Sequence, residues 1–89
     1  RIPCILERSG KNVPKVNKTK YLIPKSLTVG QFVFVIRKRL KLDSSMGIFL
    51  FFNNNLLINT SESILNCYNN HKDDDGFLYI YYSGENTFG

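Results

Sequence analysis

One stretch limits what this chain can fold into more than any other: Lys20-Tyr-Leu-Ile-Pro-Lys-Ser-Leu-Thr-Val-Gly-Gln-Phe-Val-Phe-Val-Ile-Arg-Lys-Arg-Leu-Lys-Leu42. It opens as a short strand over residues 20–23 that Pro24 stops. Because proline cannot donate to a ladder, the strand belongs at a sheet edge. Thr28 and Gln31 then have capping-box spacing: the hydroxyl serves the N3 amide while the glutamine side chain reaches back. Leu27 and Phe32 occupy the N′ and N4 positions of a hydrophobic staple. Val29, Phe32, Val33, Ile36 and Leu40 fall at i, i+3, i+4, i+7 and i+11, a single helical stripe. The β-branched run around Val33 argues for a strand, but the cap and the stripe outweigh it. On the helical wheel Val35 and Arg39 lie beside Phe32, whereas Phe34 points elsewhere, among Lys38 and Lys41.

The remaining segments build around that corner. Residues 2–6 (Ile-Pro-Cys-Ile-Leu) read as a strand with Pro3 near its start, and residues 9–18 as a polar loop. Residues 48–52 form an apolar strand, Asn53-Asn-Asn55 a turn, and residues 56–58 a further short strand. Ser61 is placed to cap a brief helix carrying Ile64, Leu65 and Tyr68 on one side. Asp73-Asp-Asp-Gly76 is a turn, and residues 77–82 are the last strand. Residues 1–82 thus form one domain, and residues 83–89 (Ser-Gly-Glu-Asn-Thr-Phe-Gly) a polar tail. The order predicts an α+β fold of the ubiquitin-like β-grasp kind, a mixed sheet of four to five strands with one long and one short helix. One feature resists a free-standing version. Leu78, Ile80 and Tyr82 alternate with Phe77, Tyr79 and Tyr81, so both faces of the strand are apolar, and both should be covered.

Composition narrows the class. At 89 residues, a single domain buries roughly 60–65% of its unfolded surface, enough for one core. A 43% hydrophobic and 13% aromatic content excludes a disordered chain. No apolar run approaches the roughly 20 residues that span a bilayer, and no signal peptide opens the sequence, which starts at Arg1 without methionine. Cys4 and Cys67 sit in apolar contexts and read as buried thiols in a reducing compartment rather than as a disulfide. Without a secretory signal, the glycosylation sequons at Asn17 and Asn59 are read as chance. The net charge is +5, and four of the twelve basic residues lie between Arg37 and Lys41. That cluster is either a solvated helix face or a contact for an acidic partner: nucleic acid, an anionic membrane or an acidic peptide.

Catalytic sets are missing. His71 is the only histidine, and no serine or cysteine forms a nucleophile motif with it. Cys4, Cys67 and His71 lack metal-ligand spacing, and the Asp73 run lacks the later oxygens of a calcium loop. No glycine-rich phosphate motif is present. What remains is binding. An edge strand at residues 20–23 offers backbone groups to an added peptide strand. Tyr21, Ile23, Leu27, Phe32 and Val35 either line an apolar pocket beside it or simply fill the core. Lys18, Lys20 and Arg39 supply cations for acidic flanks. A polar tail ending in Gly89 would let a carboxylate thread a narrow enzyme channel, since glycine has no Cβ to clash.

Several consecutive blocks carry a specific resemblance: Lys20-Tyr-Leu-Ile-Pro, Leu27-Thr-Val-Gly-Gln-Phe, Ile36-Arg-Lys-Arg, His71-Lys-Asp-Asp-Asp-Gly-Phe-Leu-Tyr and Tyr82-Ser-Gly-Glu-Asn-Thr-Phe-Gly89. Together they resemble the autophagy ubiquitin-like modifiers, the GABARAP and light-chain-three type, from Arg1 to Gly89. The resemblance implies a β-grasp fold and no enzymatic activity of its own. It implies conjugation of Gly89 to phosphatidylethanolamine by ubiquitin-like E1, E2 and E3 enzymes, with a processing and deconjugating cysteine protease. No cofactor is implied beyond that covalent lipid. It also implies recognition of aromatic-x-x-aliphatic motifs in autophagy receptors and adaptors. One pocket would use Ile23, Pro24, Leu27, Phe32 and Val35 beside Tyr21; the other would use Pro3, Lys20, Leu22 and Phe77. Arg1, Lys18 and Arg39 would meet acidic groups around the peptide. The implied location is the cytoplasm, and the autophagosomal membrane when lipidated.

Two departures stand out. Members of that family carry two helices ahead of the segment that matches Arg1, and this sequence has none. Either that segment has been removed, or a partner chain covers the face bearing Phe77, Tyr79 and Tyr81, where an exposed aromatic patch would favour self-association. Leu57-Ile-Asn also stands where the family usually has a proline pair. Two other functions compete: a peptide-binding adaptor that is not conjugated, and a basic nucleic-acid-binding domain using residues 37–41, for which no nucleic-acid motif is found.

Overall fold

Strict alternation sets the strands. In the computed structural model, which describes residues 1–10 and 12–85, β1 (Ile2–Arg8) buries Ile2, Cys4 and Leu6 on one face. The other elements are β2 (Lys20–Ile23), α1 (Val29–Leu40), β3 (Phe49–Phe52), α2 (Ile64–His71) and β4 (Leu78–Ser83). They form one four-stranded sheet in the order β2-β1-β4-β3. β1 and β4 are parallel, with Cys4 opposite Leu78 and Leu6 opposite Ile80. The outer strands are antiparallel to this pair: Leu22 faces Pro3, and Phe49 faces Ser83.

The helix start is the one the spacing predicts. Thr28 Oγ1 accepts the Gln31 N–H at 3.2 Å, and Gln31 Oε1 accepts the Thr28 N–H at 2.9 Å. Val29, Phe32 and Ile36 bury the core stripe, with Val33, Leu40 and Leu27 packed against its margins. Arg37, Lys38 and Arg39 occupy the last turn, where cations suit the negative end of the helix dipole. Lys41 closes the helix in a left-handed conformation, φ 54°.

Five expectations shift, the smallest being β3, which begins at Phe49 and not at residue 48. β1 runs two residues further than residues 2–6, because Glu7 and Arg8 still pair with Tyr81 and Tyr82. β4 is displaced by one, ending at Ser83. Residues 56–58 make only an isolated bridge, Leu57 to Phe51, so among the described residues the sheet has four strands, not five. The second helix is capped by Ser63, whose Oγ accepts the Asn66 N–H at 3.0 Å, while Ser61 is held in the preceding turn by Asn59 Oδ1. Moving the cap by two residues rotates the helix. Ile64 and Cys67 are buried, and Leu65 faces outward.

Both helices cover the sheet face that carries Cys4, Leu6, Leu50, Leu78 and Ile80, and these residues share one core. Cys4 and Cys67 are free thiols inside it. On the opposite face Pro3, Ile5, Phe49, Tyr79 and Tyr81 are half-buried and Phe51 is buried. The long loop after β1 is fastened by Tyr82, which is fully buried. Its Oη accepts the Val16 N–H at 2.8 Å and donates to the Pro14 carbonyl at 2.9 Å. Tyr82→Phe strands the Val16 N–H, and we expect a loss of about 1–2 kcal/mol in urea unfolding. A variant as stable as the wild type would show that the loop is held by Val13 and Val16 packing alone.

Candidate functional site

The period of two divides β2 between two faces of the sheet. Tyr21 and Ile23 point under α1 and are buried, whereas Lys20 and Leu22 point to the opposite face and are exposed. Leu22 is 61% exposed and lies opposite Pro3 in the ladder. Lys20 Nζ sits 5.1 Å above the Phe77 ring. Pro3, Lys20, Leu22 and Phe77 are therefore brought together as one outer cluster along the edge.

The inner cluster is partly core. Tyr21, Ile23 and Phe32 are 6%, 3% and 2% exposed, with the Tyr21 ring edge-on to Phe32 at 5.6 Å. They form a floor. The accessible margin is Pro24, which is exposed, half-buried Leu27, and Val35. The two readings that the spacing left open thus apply to different residues of one set.

Cations flank this floor. Lys18 Nζ lies 5.1 Å and Arg39 Cζ 5.5 Å from the Tyr21 ring centre. The Tyr21 hydroxyl is buried with no hydrogen-bond partner among the described residues. Burial pushes its pKa up, and the Arg39 charge partly offsets that. A buried hydroxyl without a partner is costly, and it offers both a donor and an acceptor to whatever fills the space beside it. Arg1 is exposed next to the start of β1. Gly89 lies outside the described residues.

One residue that orders the outer cluster was read from the sequence only as part of a turn. Asp75 Oδ1 accepts the Phe77 N–H at 2.9 Å, and Asp75 Oδ2 accepts the Tyr79 hydroxyl at 2.5 Å. These bonds hold the Asp75 carboxyl below its ordinary range and push Tyr79 up to about 12. The usable signal was the Asp-x-aromatic spacing, since an aspartate readily bonds the amide two residues on.

Nothing here resembles a reaction centre. Burial raises Cys4 to about 12 and Cys67 to about 11, so neither thiol is a nucleophile near neutrality. Among the described residues no cluster of His, Cys, Asp or Glu could hold a metal ion. No described helix is long and apolar enough to cross a membrane. A cavity of about 420 Å³ on the far side of α1, lined by Val29, Val33 and Ile48 among others, is separate from the β2 edge.

A family model described as "Autophagy protein Atg8 ubiquitin like" matches residues 1–89. The chain belongs to the Atg8 ubiquitin-like family. It is 57% identical over 90 residues to autophagy-related protein 8e of Arabidopsis thaliana, covering all of this chain and 73% of that protein. It is 56% identical to autophagy-related protein 8 of Lodderomyces elongisporus, again over the whole chain but only 61% of that relative's length. The crystal structure of Trypanosoma brucei ATG8 superposes with a TM-score of 0.90 at 41% identity, covering 100% of this chain and 77% of that one. The β-grasp expectation is thereby met, as is membership of the autophagy ubiquitin-like proteins, which are modifiers and not enzymes.

The Asp75–Tyr79 bond yields a pH prediction with a definite sign. Because the Asp75 pKa is lowered by folding, its contribution is complete above the ordinary carboxylate range. It is lost as pH falls through the lowered value. Asp75→Asn is expected to remove that acid-side loss and to return Tyr79 from about 12 toward the ordinary tyrosine range in an ultraviolet titration of the phenols. A titration curve identical to the wild type would mean that Asp75 does not hold Tyr79 in solution.

Proposed function

We propose that this chain is an autophagy modifier that recruits receptors and adaptors by binding their aromatic-x-x-aliphatic motifs at the β2 edge. We also propose that it is conjugated through Gly89 to phosphatidylethanolamine. The observation that carries the binding half is the edge itself. Among the described residues β2 has a neighbour on one side only, and its exposed residues and half-exposed margins form an apolar cluster on each face. A peptide added as a further strand would gain backbone hydrogen bonds along the edge. It would direct alternate side chains toward the Leu22–Phe77 cluster and toward the Leu27–Val35 margin. Acidic residues flanking such a motif would meet Lys18, Lys20 and Arg39. Two apolar anchors and a few backbone bonds correspond to roughly micromolar affinity, about −8 kcal/mol.

The conjugation half is supported by family membership and by the glycine at position 89. The chain spans between 61% and 74% of the length of curated relatives it matches. Its partners and its membrane location are proposals on the same footing. In this reading the E1, E2 and E3 enzymes and a cysteine protease act on the tail, and the lipid is the only prosthetic group.

Leu22→Ala tests the edge without touching the core. We expect binding of a Trp-x-x-Leu peptide, measured by calorimetry, to weaken about tenfold, or about 1.4 kcal/mol, with the unfolding midpoint unchanged. Arg39→Ala should weaken peptides with acidic flanks more than neutral ones. Equal affinity of wild type and Leu22→Ala would remove the outer cluster from the site. In a reconstituted lipidation reaction Gly89→Ala should yield no conjugate. A wild-type chain that bound peptide but was never conjugated would be the binding-only adaptor.

A further inference from the structure

Charge is segregated along this chain. Between Glu7 and Asp43 there is no acidic residue, and residues 8–42 hold ten of the twelve lysines and arginines. On α1 the cations divide between two flanks. Arg39 turns toward Tyr21, whereas Phe34, Arg37, Lys38 and Lys41 follow the i, i+3, i+4, i+7 spacing of a separate stripe. Phe34 is 58% exposed, with Lys38 Nζ 4.8 Å from its ring centre. With Leu42 and Ser44 these residues line an open depression of about 540 Å³. Arg37 is fixed by donating Nη2 to the Met46 carbonyl at 2.6 Å, while Lys38 and Lys41 are exposed. The acid nearest in sequence, Asp43, is turned onto the Ser45 N–H at 3.1 Å.

This patch lies where the chain leaves the sheet. Residues 41–48 lead from α1 into β3, whose first residue, Phe49, pairs with Ser83 at the end of β4. A Cβ on Gly47 would stand 3.4 Å from the Gly84 carbonyl oxygen, and the Gly84 N–H donates to Asn12 Oδ1 at 3.3 Å. The C-terminal turn of α1, the loop after β1 and the exit of β4 therefore share one end of the domain. The Asp73–Asp75 turn precedes β4 at the other end, and the Glu62 carbonyl there accepts the Val29 N–H at the start of α1. The exit end is cationic, and the far end carries four of the seven acids.

We propose that the Phe34–Lys38–Lys41 flank is a docking surface for an anionic phospholipid bilayer, with Phe34 entering the interface and the two lysines meeting headgroup phosphates. An exposed aromatic ring among lysines on a helix flank is the arrangement of an interfacial membrane contact. The bilayer is preferred over an acidic peptide because the exposed ring borders a wide, open depression and not an enclosed pocket that would hold a side chain. It is preferred also because of position. The four residues after Glu85 can reach at most about 14 Å, so a lipid on Gly89 would bring the exit end, with this flank, to the surface. That last point rests on the conjugation reading; the contact itself needs no covalent lipid.

The test uses the unconjugated chain. The sequence contains no tryptophan, so Phe34→Trp provides a single reporter at an exposed position. With phosphatidylserine-containing vesicles at low salt, its emission should shift to the blue and be quenched by brominated lipids. Phosphatidylcholine vesicles should produce neither change. Lys38→Gln and Lys41→Gln should each lower the partition coefficient roughly fivefold, and co-sedimentation of the same two variants carrying the native Phe34 should fall in parallel. No spectral change with anionic vesicles, or an equal change with neutral ones, overturns the proposal. So does a response to single-stranded RNA without one to vesicles, which would make the flank a nucleic-acid contact. Gly89→Ala should bind vesicles as well as the wild type, so a failure of lipidation and a failure of docking are read separately.

Discussion

The structure depends on the pairing of its first strand with its last. β1 and β4 are parallel neighbours in the middle of the sheet, with Cys4 to Arg8 in register with Leu78 to Tyr82. A parallel pair cannot be closed by a hairpin, so all intervening elements form the crossover that brings β4 back beside β1. β2 and β3 are thereby pushed to the two edges. The free edge proposed to bind peptide is a consequence of that closure, and no feature of β2 alone would create it. The same pairing sets the exit of the chain, because β4 ends against Phe49 and the loop fastened by Tyr82.

β2 serves two surfaces because its four residues alternate. Tyr21 and Ile23 belong to the core beneath α1, and Lys20 and Leu22 to the outer face. A substitution at Tyr21 removes core volume and an edge-on contact with Phe32. Large-to-small changes at such positions typically cost about 3–5 kcal/mol. Lost binding in a Tyr21 variant would therefore not distinguish a damaged pocket from a damaged fold. Leu22 carries no such ambiguity. Among the described residues the Tyr21 hydroxyl is a buried side-chain group without a hydrogen-bond partner, on a ring that Lys18 and Arg39 approach.

What was legible in the sequence was local. The Thr28–Gln31 box, the stripe of Val29, Phe32 and Ile36, and the stop at Pro24 each involve residues a few positions apart, and all hold in the structure. The phase of α2 was misread because Ser61 and Ser63 are both plausible caps. The choice is made by Asn59, which engages Ser61, and by the Thr28–Ser63 bridge between the two helix starts. Residues 56–58 look like a strand, but after the Asn53–Asn55 turn only Leu57 bridges back to β3, and the ladder goes no further. The division of the pocket residues into floor and margin depends on how α1 lies across the sheet, which spacing does not encode. The β-grasp itself came from the resemblance as much as from the element order.

The wheel of α1 connects the two proposed surfaces. Its core stripe, Val29, Phe32 and Ile36, is flanked on one side by Val35 and Arg39 beside β2, and on the other by Arg37 and Lys41. At 100° per residue, Phe34 and Val35 project about 100° apart, so a peptide lying against Val35 would leave Phe34 untouched. The helix between them is fixed at both ends, by the Thr28–Gln31 box and by the Lys41 cap. A bilayer contact on one flank would thus orient the domain without competing for the other. Because β2 ends beside the start of α1 and the basic flank ends beside the chain exit, the peptide edge would extend away from a membrane docked on that flank, toward solution. The orientation follows from helix periodicity and strand order, and it requires no conformational change in the domain.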